Sequence, residues 1–223
     1  MVAIDLLATL ILLLLTAGAS ILLLSSSDRR LPRSCTRILR ESAIVQERID
    51  DFLRNGAREG CTDKHYLLRE QMVYCPSHSF KGRFDQAIFR FDETPTLELL
   101  IERKFPTRHL LKKGRPEDFF QAALYSLALA SKGVNCEPTL LLIIYCKQRD
   151  ASDCARRLIP SECAACRKGR TFSRRYNPRE VLKALRRLDE IWYEGRSPRA
   201  SPAADKCAGC PHGKAGHCEY SAA

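Results

Sequence analysis

The sequence predicts an α/β domain with a mixed central sheet flanked by helices, and three observations carry that prediction. Stretches rich in aromatic and branched residues at Tyr66–Tyr74, Phe80–Phe91 and Leu97–Phe105 follow one another with turn residues between them. Thr139–Tyr145 reads TLLLIIY, a continuous apolar run that suits a strand buried on both faces and is too short to cross a membrane. Helix-period segments stand before, between and after these runs, giving the order helix, three strands, helix, strand, helix.

The elements follow in order. Leu6 to Leu24 is nineteen residues without a charge, about 28 Å as a helix, enough to span a bilayer. The small residues Ala17-Gly18-Ala19-Ser20 resemble a signal-peptide cleavage site, but the charges run the wrong way. Asp5 precedes the apolar segment and Arg29, Arg30 and Arg33 follow it, which favours an anchor with the remainder cytoplasmic. Residues 1–27 are therefore expected to form a transmembrane anchor and 28–34, containing Pro32, a linker. Ile38, Leu39, Ile44, Val45, Ile49, Phe52 and Leu53 make one apolar stripe and predict a helix from Cys35 to about Arg58. Asp92-Glu93-Thr94-Pro95-Thr96 is the turn before the third strand. Pro116 introduces a helix over Glu117–Lys132 that Gly133 closes, and Asn177-Pro178 introduces an amphipathic one over Arg179–Tyr193. Cys146–Arg175 is polar, Gly195–Lys206 is a Pro, Ser and Ala linker, and Cys207–Cys218 is a short cysteine segment within a C-terminal region, 195–223.

A chain of 223 residues holds one catalytic-sized domain plus an appendage. Its 37 Lys and Arg against 26 Asp and Glu give a formal charge of +11, which suits nucleic acid or anionic lipid and also describes a plain solvated basic surface. Eleven cysteines in a reducing cytoplasm point to metal or cluster ligation ahead of disulfides.

Gly82-Arg83-Phe84-Asp85 and Ile101-Glu102-Arg103-Lys104 are the sharpest feature. Folding the two strands about Thr94 sets Asp85 opposite Arg103 to within one residue, and a one-residue adjustment brings it beside Glu102 and Lys104. Glu102 and Lys104, two apart in a strand, share a face. Two carboxylates suit Mg²⁺ or Mn²⁺, which would polarise a phosphate and acidify an attacking water, while Lys104 orients that water. Salt-bridge partners on an exposed strand would look similar, but Leu99, Leu100, Ile101 and Phe105 around them are apolar. Gln121 and Tyr125 lie one helical turn apart and share a face.

Gly-x-x-Asp, Glu-x-Lys and Gln-x-x-x-Tyr, in this order and spacing, resemble the nuclease core of the RecB-like exonucleases in the PD-(D/E)XK superfamily, over about residues 35–220. The resemblance implies a restriction-endonuclease-like core with Asp85 and Glu102 as metal ligands, Lys104 assisting the water, and Gln121 and Tyr125 steadying DNA or the site. Many members carry a metal-binding His on the preceding helix, and residues 36–58 contain none. Glu41, Glu47 or Asp51 would substitute, Glu47 being the candidate third ligand, with His65 nearby.

Cys207-Ala208-Gly209-Cys210 with Cys218 supplies three thiolates and needs a fourth ligand. His212 or His217 would complete a local zinc knuckle, and Cys35 would close the domain from its far end. In the iron–sulfur branch of the RecB-like family, which includes CRISPR-associated exonucleases of the Cas-four type, one Cys precedes the nuclease core and three follow it. By that resemblance Cys35, Cys207, Cys210 and Cys218 hold a [4Fe–4S] cluster, with Zn²⁺ the alternative. Cys163-x-x-Cys166, with Cys146 and Cys154 upstream, reads either as a second, zinc-type knuckle or as incidental burial; Cys61, Cys75 and Cys136 read as structural. Arg103, Arg108, His109, Lys112, Lys113 and Arg115 stand between the catalytic strand and helix, where they would meet phosphates or simply face solvent.

The expected function is a Mg²⁺- or Mn²⁺-dependent deoxyribonuclease, an exonuclease acting on DNA ends or single strands, in CRISPR adaptation, repair or antiviral defence. A membrane-anchored restriction-type or junction-cleaving endonuclease, and a non-catalytic cluster-stabilised DNA-binding protein, are the competing readings. Expected partners are DNA, the membrane through residues 6–24, and a separate helicase or CRISPR integration proteins, since the chain carries no Walker motif.

Overall fold

The structure is a computed structural model that describes residues 31, 33–56, 64–91, 94–152, 154, 159–197, 202 and 204–222. The anchor expected over residues 6–24 lies outside these, as does Cys61. Among the described residues no helix is long and apolar enough to cross a membrane. The chain divides into two compact units, one ending at Val181 and the other beginning at Leu182.

The first unit is a six-stranded mixed sheet in simple sequence order. Its strands are β1 (Ala43–Ile44), β2 (His65–Cys75), β3 (Phe80–Phe91), β4 (Pro95–Lys104), β5 (Leu140–Cys146) and β6 (Gly169–Arg175). β2, β3 and β4 form an antiparallel meander; β1 joins β2 and β5 joins β4 in parallel, and β6 returns antiparallel to β5. The parallel β4–β5 step needs a crossover. Helix α3 (Pro116–Ala130) provides it, starting on Pro116 and followed by Gly133 in the left-handed region (φ 86).

The two faces of the sheet bury different partners. On one, Cys35 and Leu39 of α1 (Arg33–Glu41) join Leu67, Ile88, Leu99, Ile101, Leu142 and Ile144 in a single apolar cluster. Cys163 and Ala164 of the short helix α5 (Pro160–Ala165) pack against that cluster. Leu100, Leu141, Ile143 and Tyr145 alternate with these along the strands, so they face the other side, where Phe119, Ala122, Tyr125 and Leu129 of α3 are buried.

Two sequence-based expectations are corrected. The single helix over 35–58 is instead α1, then β1, then α2 (Ile49–Gly56). The apolar stripe ran through the break because Ala43 and Ile44 leave the helix to pair with Tyr66 and Leu67, and Val45 N–H donates to Leu67 O at 2.9 Å. The polar stretch Cys146–Arg175 contains β6, α5 and α4 (Gln148–Ala151). β6 is an edge strand whose only fully buried side chain is Phe172, so it carries no apolar alternation to read. In the second unit, α6 (Pro178–Trp192), within which the boundary falls, is followed by α7 (Ala204–Gly209) and α8 (Pro211–Lys214).

Candidate active site

Register decides whether the two acidic motifs meet. Near the turn, Arg90 pairs with Thr96 and Phe89 with Leu97, a register that would set Asp85 against Ile101. A bulge between Ile88 and Phe89 advances the pairing by one, so that Ile88 opposes Leu99 and Gln86 opposes Ile101. Asp85 then stands across from Glu102, and because side chains alternate, the shift moves the two carboxylates onto one face.

Backbone and side chain then lock together. Arg103 N–H donates to Asp85 Oδ2 at 2.7 Å, and Asp85 N–H donates to Glu102 Oε1 at 3.4 Å. Lys104 Nζ donates to Glu102 Oε2 at 3.2 Å and to Gln121 Oε1 at 2.6 Å, and Gln121 Nε2 donates to the Tyr125 hydroxyl at 2.7 Å. All five residues singled out by the three motifs, Asp85, Glu102, Lys104, Gln121 and Tyr125, thus belong to one hydrogen-bonded chain reaching from β3 through β4 to α3.

Glu102 is 2% exposed. Burial, and then the charge of Asp85, push its carboxyl up to about 7, with Lys104 pulling the other way. Burial likewise raises the Tyr125 hydroxyl, keeping it a neutral donor and acceptor.

Several contacts of the site carried no sequence signal of their own. A Cβ on Gly82 would lie 2.4 Å from Tyr125 Cε1, so the glycine of the first motif makes room for the ring of the third. Tyr145, from the apolar run, donates to Asp118 Oδ2 and accepts from Arg115 N–H at 3.0 Å, tying the basic loop to α3. Asp118 also lies 4.0 Å from Lys104 Nζ. Glu70 occupies the β2 position across from Asp85 in a left-handed conformation (φ 50), with its carboxylate 3.2 Å from Arg83.

The candidate third ligand is not brought in. Glu47 is exposed in the loop between β1 and α2, and Glu41 and Asp51 turn to Arg37 and Arg54 at 3.6 and 2.6 Å. His65 opposes Arg90, five residues along β3 from Asp85, and lies 3.6 Å from Glu98. The spacing of one long helix does not apply to them, because α1 and α2 are separate helices. Among the described residues no three His, Cys, Asp or Glu side chains are gathered as a metal cage. Asp85 and Glu102 nevertheless fit a hard divalent cation, since their mutual repulsion is what such a charge relieves and water or phosphate oxygens complete its shell. Beside them, Lys104, Arg108, His109, Arg115 and Tyr145 line an open cleft of about 450 Å³.

Cys35 is buried in the apolar cluster that also takes in Cys163. In the second unit Cys210 N–H donates to Cys207 O at 3.1 Å, and Ala222 N–H donates to Cys207 Sγ at 3.4 Å. His217 N–H reaches His212 O at 3.0 Å, a backbone contact. The chain matches no family model, no curated protein and no solved structure.

Proposed function

We propose that the chain is a Mg²⁺- or Mn²⁺-dependent DNA hydrolase of the RecB-like PD-(D/E)XK type, its sheet and α3 forming a restriction-endonuclease-like core. The observation that carries this reading is the convergence of Asp85 and Glu102 with Lys104, itself held by Gln121. When bound by Asp85 and Glu102, the cation would neutralise the scissile phosphate and lower the pKa of the attacking water.

The chain's own residues do the rest. Lys104, fixed between Glu102 and Gln121, presents an ammonium donor to a water or phosphate oxygen without first having to reorganise. Gln121 takes its orientation from Tyr125, and Gly82 keeps the space that ring needs. Arg108, His109 and Arg115 line the cleft wall and would take backbone phosphates, a sequence-independent grip. The tie from Arg115 through Tyr145 to Asp118 holds that wall against α3.

A [4Fe–4S] cluster on the C-terminal thiols belongs to this proposal, supported by the spacing of Cys207, Cys210 and Cys218 and by the N–H···S contact at Cys207. The membrane anchor is supported by the uncharged run Leu6–Leu24 and the arginines after it.

Labelled linear and circular DNA incubated with the full chain and Mn²⁺ tests the reading. Loss of label from ends alone identifies an exonuclease, and cutting of the circle an endonuclease. DNA binding with no cleavage above that of Lys104→Ala leaves only a binding protein.

A further inference from the structure

The far face of the catalytic strand carries a group of residues that the hydrolase reading does not use. Cys146 ends β5, Cys154 follows α4, and Cys163 and Cys166 lie in α5 and at its C-cap. All four line a single cavity of about 340 Å³. Cys166 N–H donates to Cys163 O and Gly169 N–H to Cys166 O, both at 3.3 Å, a tight Cys-x-x-Cys-x-x-Gly turn. The thiols also sense one another: Cys146 is pushed up by burial and then by Cys154 and Cys166.

A second observation points into the same cavity. Arg103 lines it, its charge favours the thiolate form of Cys163, and it stacks on Phe105 with its guanidinium carbon 5.7 Å from the ring centroid. Its Nε and Nη1 are shielded from solvent and have no hydrogen-bond partner. Shielded donors left in that state are costly. Asp150 and Glu162 also border the cavity, but Asp150 is paired with Arg149 at 3.9 Å.

We propose that Cys146, Cys154, Cys163 and Cys166 form a structural zinc site, with Arg103 donating to its thiolates. Four soft thiolates are the tetrahedral set that Zn²⁺ takes in closed structural sites. Four thiolates on one Zn²⁺ leave a net double negative charge, which supplies the acceptors the orphan guanidinium donors lack. As they stand the thiols are not closed about one point, so binding requires them to turn toward one another across the cavity. The site would staple the excursion between β5 and β6 to the back of β4. Arg103 sits between Glu102 and Lys104, and its N–H holds Asp85 Oδ2, so the same residue would join this site to the other face of the sheet. The proposal does not depend on the hydrolase reading.

The test is residue-resolved alkylation of the full chain, read by peptide mass spectrometry with and without a zinc chelator, together with metal analysis. The expected result is bound zinc, with Cys146, Cys154, Cys163 and Cys166 protected together and released together on chelation. Alkylation of these four at the same rate with and without chelator, a Cys163–Cys166 disulfide, or iron in place of zinc at these thiols overturns the proposal. Cys163→Ser/Cys166→Ser should lose this zinc, whereas Cys207→Ser/Cys210→Ser should keep it. Arg103→Met should release zinc roughly 10- to 100-fold more readily, as loss of an outer-sphere donor does; unchanged release removes Arg103 from the site. None of these readouts requires DNA cleavage, so they stand or fall separately from nuclease activity.

Discussion

Lys104 Nζ and Gln121 Oε1 are 2.6 Å apart, although one ends a strand and the other lies in the second turn of a helix. Together with the contact to Glu102 Oε2, this pairing fixes the ammonium and makes the position of α3 part of the site's chemistry. Lys104→Met, which keeps the stem and removes the charge, should lower the single-turnover cleavage rate by about 10²–10³-fold, the effect of losing one preorganised donor. Gln121→Ala should lower it less, with circular dichroism unchanged in both.

Glu102 makes pH a direct probe. Its folded-state pKa, about 7, lies above the ordinary value of 4.5 because of burial and Asp85. Between about 4.5 and about 7 the folded state therefore binds more protons than the unfolded state, and stability falls as pH rises through that window. The penalty is complete above about 7, where it reaches about 3 kcal/mol. Glu102→Gln removes it: the variant should gain thermal stability over wild type across this window, keep the gain above it, and be inactive. Melting curves at pH 5 and pH 8 measure this.

Gly82→Ala tests the packing between the first and third motifs. The added methyl would meet Tyr125 Cε1 at 2.4 Å, so the ring must move and Gln121 loses its hydroxyl partner. The cost in denaturant unfolding should be about 1–3 kcal/mol, as for overpacking elsewhere, and cleavage should fall with DNA affinity retained.

The basic wall of the cleft should act through phosphates alone. Arg108→Ala should weaken binding equally across DNA sequences and reduce the slope of log affinity against log salt by about 1. Binding isotherms at several salt concentrations on two unrelated duplexes check both points.

Most strands and the long helices were legible because their signals are local: the run TLLLIIY, the Pro116 and Gly133 boundaries of α3, and the Asn177-Pro178 start of α6. The five motif residues were legible as types at spacings, and folding about Thr94 brought them within one residue of register. What closed the gap was the bulge at Ile88 and Phe89, whose geometry no residue type announces. β6 was invisible because only Phe172 is fully buried. The break between α1 and α2 was hidden because Ile44 and Val45 continue a helical stripe while leaving the helix. Tyr145 was unreadable as a site residue, and the packing role of the motif glycine Gly82 was hidden too, because each acts through a contact distant in sequence, with Asp118 and Tyr125.

The central claim is that Asp85 and Glu102 together hold a divalent cation that drives phosphodiester hydrolysis. A time course of labelled linear DNA with the full chain, with Mn²⁺ and with Mn²⁺ plus chelator, alongside folded Asp85→Asn and Glu102→Gln variants, tests it most directly. The account predicts metal-dependent cleavage by wild type and none by either variant. Wild type that leaves the DNA intact, or variants that cut it at the wild-type rate, would contradict it.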